Sequence, residues 1–116
     1  MHASLEPVAK CRRHYQHQEI VGHPFYVFFD HQRRWLKYSE ELAEFLGYGV
    51  TELVGQTADI LLPKGFVYNI DGWEQFLSQG QITRFIPLTK KSGTIVGVWI
   101  EYLKLDDGCM VALLKL

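Results

Sequence analysis

The sequence predicts an α+β fold in which one antiparallel sheet carries short helices on one face. Three observations support this prediction. Five β-rich segments occur, at residues 25–29, 35–38, 81–89, 95–105 and 109–116. Between the second and the third lies a run of short helical turns, each with its own start and stop residues. Polar turn sequences separate the paired strands, at residues 30–34, 90–93 and 106–108.

The composition indicates a single globular domain. The 116 residues suffice for one core, and the contents of 47% hydrophobic and 22% charged residues are ordinary. A net charge of −1 argues against a dedicated nucleic-acid binder, which would carry a basic patch. No apolar run approaches the roughly 18 residues of a transmembrane helix, and the start of the chain lacks the apolar core of a secretory signal.

The cysteines and histidines predict no metal centre. Cys11 and Cys109 lie far apart and form no Cys-x-x-Cys pair, so neither a zinc site nor a disulfide framework is expected. His14 and His17 have helical spacing, but no carboxylate or cysteine completes a ligand set, and we interpret both as solvated. A reducing, cytoplasmic location is the default prediction, and a periplasmic origin with the signal removed stays open.

Residues 1–23 are predicted to form a helical extension. Its apolar stripe consists of Leu5, Val8, Cys11 and Tyr15. A stripe this narrow is typical of a packing arm rather than of a core helix. Pro24 ends the segment, because proline disfavours helical geometry in the residue before it.

The first strand, residues 25–29, is apolar on both faces. Its alternate residues form two sets, Phe25/Val27/Phe29 and Tyr26/Phe28. Asp30 continues the second set and needs water, so the first set is placed on the core face. A strand of this kind belongs to a sheet that is covered on both sides.

Three short helical turns follow the second strand. Ser39 caps the first, which Gly47 ends. The second and third are predicted at Glu52–Val54, capped by Thr51, and at Ala58–Leu62, capped by Thr57. None would be stable alone, so all must pack on a shared core.

A longer helix precedes the third strand and ends at Gly80. Trp73, Phe76 and Leu77 give its predicted buried face.

The stretch from the first hairpin to Gly55 resembles PAS domains, the small sensor modules of signalling proteins. In that family a hairpin leads into a run similar to Asn-Pro-Ala-Ala-Glu-Glu-Leu-Leu-Gly-Tyr-Ser-Pro-Glu-Glu-Leu-Ile-Gly, and Ser39–Gly55 matches its length. Leu46-Gly47-Tyr48 and Glu52-Leu53-Val54-Gly55 are in register with it. Asp30 stands where the family often closes its first strand with Asp. Ser39 replaces a frequent Asn, and either residue caps a helix.

The resemblance covers roughly residues 24–116. It implies a PAS-like five-stranded antiparallel sheet with short helices on one face. In the long fourth strand, Val96, Val98, Ile100 and Tyr102 are assigned inward, whereas Ile95, Gly97, Trp99 and Leu103 are assigned outward. Exposing several such rings is costly, so we expect the N-terminal helix, a second subunit or both to cover the outer face.

The resemblance also bears on cofactors. Flavin-binding light sensors of the family carry a cysteine where this chain has Ala58, so a covalently bound flavin is disfavoured. Haem-binding members place a histidine on the long helix, and residues 67–79 contain none, which disfavours histidine-ligated haem. Non-covalent flavin stays open, and the identity of any cofactor is left unknown.

A ligand pocket between sheet and helices is a hypothesis. Its lining would comprise Phe29, Phe45, Leu61, Tyr68, Trp73, Val98 and Ile100. A core completely filled by these side chains is the preferred alternative, because no polar group converges there to orient a ligand. The chain has no phosphate-binding glycine loop, zinc-protease motif or nucleophile elbow, so no enzymatic activity is predicted.

The main functional prediction is a non-catalytic PAS sensor or interaction module, residues 24–116, that forms a homodimer and regulates an output domain such as a histidine kinase. The predicted dimer interface comprises Leu5, Val8, Cys11, Tyr15, Tyr26, Phe28 and Trp99. One alternative is a ligand-free structural dimerisation domain. Another, from a different class, is a small α+β enzyme such as a hot-dog thioesterase, which would need one continuous helix across residues 39–62.

Overall fold

A computed structural model describes residues 11, 12, 14, 15, 18–66, 70–105 and 107–115. The elements in chain order are α1 (Gln18–Val21), β1 (Tyr26–Phe29), β2 (Trp35–Tyr38), α2 (Glu40–Leu46), a 3₁₀-helix (Ala58–Leu61), α3 (Ile70–Gln79), β3 (Gln81–Thr89), β4 (Ile95–Lys104) and β5 (Met110–Lys115). The five strands form one antiparallel sheet in the order β2-β1-β5-β4-β3. The predicted α+β class is confirmed.

The sheet has two apolar faces, as the alternation in β1 and β4 predicted. The inner face forms the main core with α2, the 3₁₀-helix and α3, and it contains Val27, Phe29, Val98 and Ile100. The outer face carries a second cluster, which we call the outer cluster: Cys11, Ile20, Tyr26, Phe28, Cys109, Val111 and Leu113. The outer cluster joins β1 and β5 to the described part of residues 11–21, which we call the N-terminal segment.

Ser39 begins α2 and also ties it to the sheet. The Ser39 hydroxyl accepts a hydrogen bond from the Leu42 N–H (3.2 Å) and donates one to the Pro24 carbonyl (2.7 Å). Gly47 ends α2 with φ of +86°, in the left-handed region that glycine adopts without strain. Both ends of the helix lie where the sequence predicted them.

The prediction of a second helix at Glu52–Val54 is wrong, since these residues form consecutive turns. Two side chains accept hydrogen bonds from backbone N–H groups here. The Tyr38 hydroxyl accepts from the Leu53 N–H (2.9 Å), and the Glu52 carboxylate accepts from the Gly49 N–H (2.9 Å). These tertiary and local bonds replace the ladder that a helix would need. Because no continuous helix spans residues 39–62, the hot-dog architecture is excluded.

The third short helix occurs as the 3₁₀-helix, and Thr57 accepts a hydrogen bond from the Asp59 N–H (3.4 Å) at its start.

In α3, Phe76 is buried, but Leu77 is 36% exposed, so the prediction that Leu77 lies on the buried face is wrong. Phe76 packs against Phe29 on the sheet, and Leu77, one position further round the helix, turns towards solvent.

The prediction that the cysteines form no disulfide is also wrong. Cys11 and Cys109 are bonded to each other across 98 residues of sequence, with their Cα atoms 5.1 Å apart. Their spacing carried no pairing signal, because the two residues meet only when the N-terminal segment packs on the sheet. Disulfides persist in oxidising compartments, so the reason for predicting a reducing location no longer holds.

Candidate functional site

A small cavity lies on the inner face of the sheet. Its volume is about 40 Å³, and its lining is Val27, Phe29, Arg33, Trp35, Ala58, Trp73, Leu88, Ile100, Tyr102, Ala112 and Leu114. A volume of this size holds a few water-sized groups. A flavin or a haem would require the surrounding rings to move apart.

Aromatic rings account for the small size of the cavity. The ring of Phe29 lies 6.0 Å from that of Trp73 and 6.0 Å from that of Tyr102, measured between centroids. Phe76 packs behind them, 5.5 Å from Trp73 and 5.9 Å from Tyr102. These separations lie within the usual range for interacting aromatic pairs. The rings therefore fill most of the space between α3 and the sheet.

The cation in the cavity lining is already neutralised by a carboxylate. Arg33 adopts a left-handed backbone conformation, with φ of 64°, in the turn between β1 and β2. Its guanidinium binds both carboxylate oxygens of Asp59, at 3.1 and 3.3 Å. Both side chains are partly exposed, so the pair is screened by solvent. With its charge balanced at this pair, the cavity best suits a small uncharged molecule.

The structure brings together three of the seven residues predicted to line a pocket, namely Phe29, Trp73 and Ile100. Leu61 and Val98 are buried in the main core without bordering the cavity. Phe45 lies elsewhere, against Phe25 and beneath the Lys90 ammonium. Tyr68 lies outside the described residues.

Sequence reasoning missed several lining residues. Tyr102 belongs to the set that the alternation in β4 placed inward, so the pattern could have found it. Ala58 was compared with a family cysteine and does border the cavity. Arg33 gave no signal in the sequence, because it reaches the cavity through its own left-handed backbone conformation, which is uncommon for residues other than glycine.

The outer face over β1 and β5 is closed by the N-terminal segment. Tyr15 packs on Phe28 with 5.0 Å between ring centroids, and the Lys37 ammonium lies 5.4 Å from the Tyr15 ring. Burial raises the pKa of Tyr15, an effect that the charge of Arg12 opposes. Burial likewise raises the pKa of Tyr26. Both phenols therefore report a partly desolvated environment on this side of the sheet.

The outer face over β3 and β4 is open. Phe85, Ile95 and Trp99 are 57%, 56% and 53% exposed, and we call these three residues the outer patch. Phe85 and Trp99 are direct cross-strand partners with 5.1 Å between ring centroids. The Phe85 ring also covers Gly97, where a side chain would collide with it. The outward assignment of Ile95 and Trp99 is confirmed.

The residues of the predicted dimer interface occupy different environments. Cys11, Tyr26 and Phe28 are buried within the chain's own outer cluster, whereas Trp99 is exposed. Tyr15 is half-buried against that cluster. Leu5 and Val8 lie outside the described residues. The interface itself stays a prediction.

Two features are absent from the described part of the chain. Within it, no group of three or more histidine, cysteine or acidic side chains could hold a metal ion. No helix among the described residues has the length and apolar character needed to cross a membrane.

Comparison with known proteins identifies the fold. No protein-family model and no curated protein matches the sequence. Among solved structures, a PAS domain from Colwellia psychrerythraea superposes with a TM-score of 0.71 and 16% identity, covering 93% of this chain and 95% of that one. A PAS domain from a two-component sensor histidine kinase gives a TM-score of 0.69 and 13% identity, covering 92% and 97%.

A third similar structure contains a small ligand. It is a PAS domain in complex with ethanol, from a LuxR-family transcriptional regulator of Burkholderia thailandensis. Its TM-score is 0.60 at 15% identity, with 90% of this chain and 94% of that one covered. The chain therefore has the PAS fold, as its resemblance to that family predicted.

Proposed function

We propose that this PAS-fold chain is a non-catalytic sensor or interaction module that forms a homodimer through the outer patch. The observation that carries the proposal is the exposure of three large apolar side chains on the same face of β3 and β4, two of which are cross-strand partners. Contiguous apolar surface that a chain leaves open commonly marks an interaction site. Burying it against a partner removes the unfavourable contact between these rings and water.

A second copy of the chain is the partner that the patch best fits. A two-fold interface uses the same surface on both subunits and must be self-complementary. The outer patch has opposite charges beside it, because Lys115 pairs with Trp99 in the sheet and Glu101 follows two residues later on the same face of β4. An apolar surface with one basic and one acidic flank allows two copies to associate in opposite orientations.

The cavity supports a ligand of only a few non-hydrogen atoms. Its apolar lining and volume of about 40 Å³ suit a small uncharged molecule, such as the ethanol bound by the similar PAS domain. A ligand bound there would shift the packing of Phe29 on Trp73 and so alter how α3 packs on the sheet. The alternative is a ligand-free dimerisation module, in which the cavity holds water.

An output domain completes the proposed mechanism. Since one similar PAS domain comes from a sensor histidine kinase and another from a transcriptional regulator, an output of either class is proposed. The predicted cytoplasmic location is retained only as the weaker of two settings. The disulfide between Cys11 and Cys109 favours an oxidising compartment instead.

Sedimentation velocity tests the dimer. The wild-type chain is expected to sediment as a dimer at tens of micromolar, and Trp99→Ser is expected to sediment as a monomer. Ile60→Ser is the matched control, because Ile60 is 50% exposed but lies on the 3₁₀-helix, away from the patch. A wild-type monomer, or equal dissociation by the two variants, would contradict the proposal.

Native mass spectrometry and an absorbance scan of freshly purified protein test the ligand separately. An additional mass corresponding to a small uncharged molecule supports the sensor version. The bare chain mass with no visible absorbance supports the ligand-free module, and this outcome leaves the dimer proposal intact.

A further inference from the structure

We propose that the Cys11–Cys109 disulfide is a redox-controlled latch that holds the N-terminal segment on the outer face of the sheet. In the oxidised state the segment covers β1 and β5. In the reduced state it is released, and the apolar surface beneath it becomes accessible. The proposal does not depend on the homodimer.

The disulfide joins two parts of the fold that are distant in the sequence. Cys11 lies in the N-terminal segment, and Cys109 lies directly before β5, after the turn that leaves β4. Both residues are fully buried in the outer cluster. The bond links residues 98 positions apart and keeps their Cα atoms 5.1 Å from each other, so the segment cannot leave the sheet at Cys11 while the bond is intact.

The segment is also attached by a hydrogen bond at the same end of the sheet. His14 Nε2 lies 2.8 Å from a carboxylate oxygen of Asp107. The other carboxylate oxygen of Asp107 accepts a hydrogen bond from the Cys109 N–H at 3.0 Å. Asp107 therefore orients the turn that carries Cys109 and binds the segment that carries Cys11. The disulfide and this hydrogen bond therefore attach the segment to the same turn.

The described residues make further contacts between the segment and the sheet. Tyr15 packs on Phe28, Lys37 approaches the Tyr15 ring, and Ile20 completes the described apolar contact. A short segment packed on one face of a sheet can open locally without unfolding of the whole domain. The disulfide is consequently the element that decides between a covered and an open outer face.

The redox step requires a dithiol as the reductant. A thiolate of the dithiol attacks one protein sulfur, the bond between Cys11 and Cys109 breaks, and a mixed disulfide forms. The second thiol of the reductant then displaces the protein sulfur. Two electrons and two protons pass to the protein, which ends with two thiols, and the reductant ends as a disulfide. Reoxidation by a disulfide reverses each transfer.

Burial makes the latch selective. Because both sulfurs are inaccessible in the covered state, a reductant can reach them only when the segment has lifted. The rate of reduction therefore reports how often the segment opens. Once reduced, the face exposes Tyr26, Phe28, Val111 and Leu113, which extend the apolar surface of the outer patch from β4 across β5 to β1.

Thiol counting and hydrogen exchange on the full chain test the latch. Protein purified without reductant and unfolded in guanidinium should bind no maleimide, and prior treatment with dithiothreitol should reveal two thiols. After reduction, amides in the peptide covering residues 11–21 should exchange about tenfold faster or more, while β3 and β4 exchange as before. Two free thiols at the start, or unchanged exchange after reduction, would overturn the proposal.

Variants distinguish a latch from two buried thiols that act independently. Cys11→Ala and Cys109→Ala should each exchange as the reduced wild type does and should not respond to dithiothreitol. The double variant should add nothing to either, because each single change already removes the link. His14→Gln is the control that keeps the disulfide, and its exchange should still respond to reduction. Additive effects of the two cysteine changes would overturn the latch.

Discussion

The two faces of the sheet are built from the same strands but are closed in different ways. The inner face is covered by α2, the 3₁₀-helix and α3, which form a continuous core with it. The outer face is covered over β1 and β5 by the N-terminal segment and is open at the outer patch on β3 and β4. All four residues of β1 are buried, whereas in β4 Val98 and Ile100 are buried and Trp99 between them is exposed.

This difference separates the parts of the molecule that stabilise it from those available for interaction. Apolar side chains buried on the inner face contribute directly to the stability of the chain. The side chains of the outer patch are more than half exposed in the isolated chain and contribute little to its stability. A strand that is apolar on both faces therefore indicates that both faces of its sheet are covered. The strand's sequence does not show whether the second covering element belongs to the same chain.

The largest expected effect is on the inner face. Phe76→Ala should lower the free energy of unfolding by about 3–5 kcal/mol, because it leaves a cavity among Phe29, Trp73 and Tyr102. Urea denaturation followed by circular dichroism measures this change. Leu77→Ala, at the exposed neighbouring position, should change it by about 0.5 kcal/mol or less. Similar losses for the two variants would show that α3 does not close the inner face as described.

A smaller stability effect is expected at Gly97, on the outer face. The added methyl group of Gly97→Ala would collide with the Phe85 ring, but that ring is exposed and can rotate away. The free energy of unfolding should therefore fall by about 1 kcal/mol or less, and the proposed dimer should weaken because the patch has changed shape. Urea denaturation and sedimentation of the same preparation measure both effects. A large loss of stability with an unchanged dimer would contradict this account of the patch.

The smallest effect concerns the loop that follows α2. A hydrogen bond from the Gly49 N–H, together with the Lys91 ammonium 2.8 Å away, lowers the pKa of Glu52 below its model-peptide value of 4.5. The folded state therefore binds this proton less readily than the unfolded state. The resulting stability is present above pH 4.5 and is lost as the pH falls through the folded pKa.

Glu52→Gln should slightly reduce the loss of stability at low pH, since the amide cannot titrate. Thermal unfolding of both proteins between pH 3 and 7, which spans the usual carboxylate range, provides the measurement. Glu44→Gln is the control, because Glu44 is an exposed acid on the neighbouring helix α2. If Glu52→Gln leaves the loss of stability at low pH unchanged, Glu52 does not contribute to that loss.

Local signals were sufficient to predict most of the fold. The two ends of α2 were predicted from Ser39 and Gly47, because a cap and a left-handed glycine act through neighbouring backbone groups. The alternation in β1 and β4 assigned the inner and outer side chains correctly, because successive side chains of a strand point to opposite faces of the sheet. The turns at Glu52–Val54 were misassigned because the hydroxyl of Tyr38, fifteen positions before Leu53, takes up a backbone N–H there.

The candidate sites depended more on distant contacts. The disulfide could not be predicted, because Cys11 meets Cys109 only through docking of the N-terminal segment. The cavity was predicted in part, since alternation identifies inward residues such as Ile100 but cannot say which of them the rings of α3 leave uncovered. Arg33 enters the lining through one turn conformation that its sequence does not specify.

Hydroxyl-radical footprinting of the full chain at low and high protein concentration tests the division of the outer face most directly. At high concentration, Phe85 and Trp99 should become protected, while the equally exposed Ile60 keeps its reactivity. Phe28, beneath the N-terminal segment, should be unreactive at both concentrations. Equal oxidation of Trp99 at the two concentrations, or ready oxidation of Phe28 in the oxidised protein, would contradict the account.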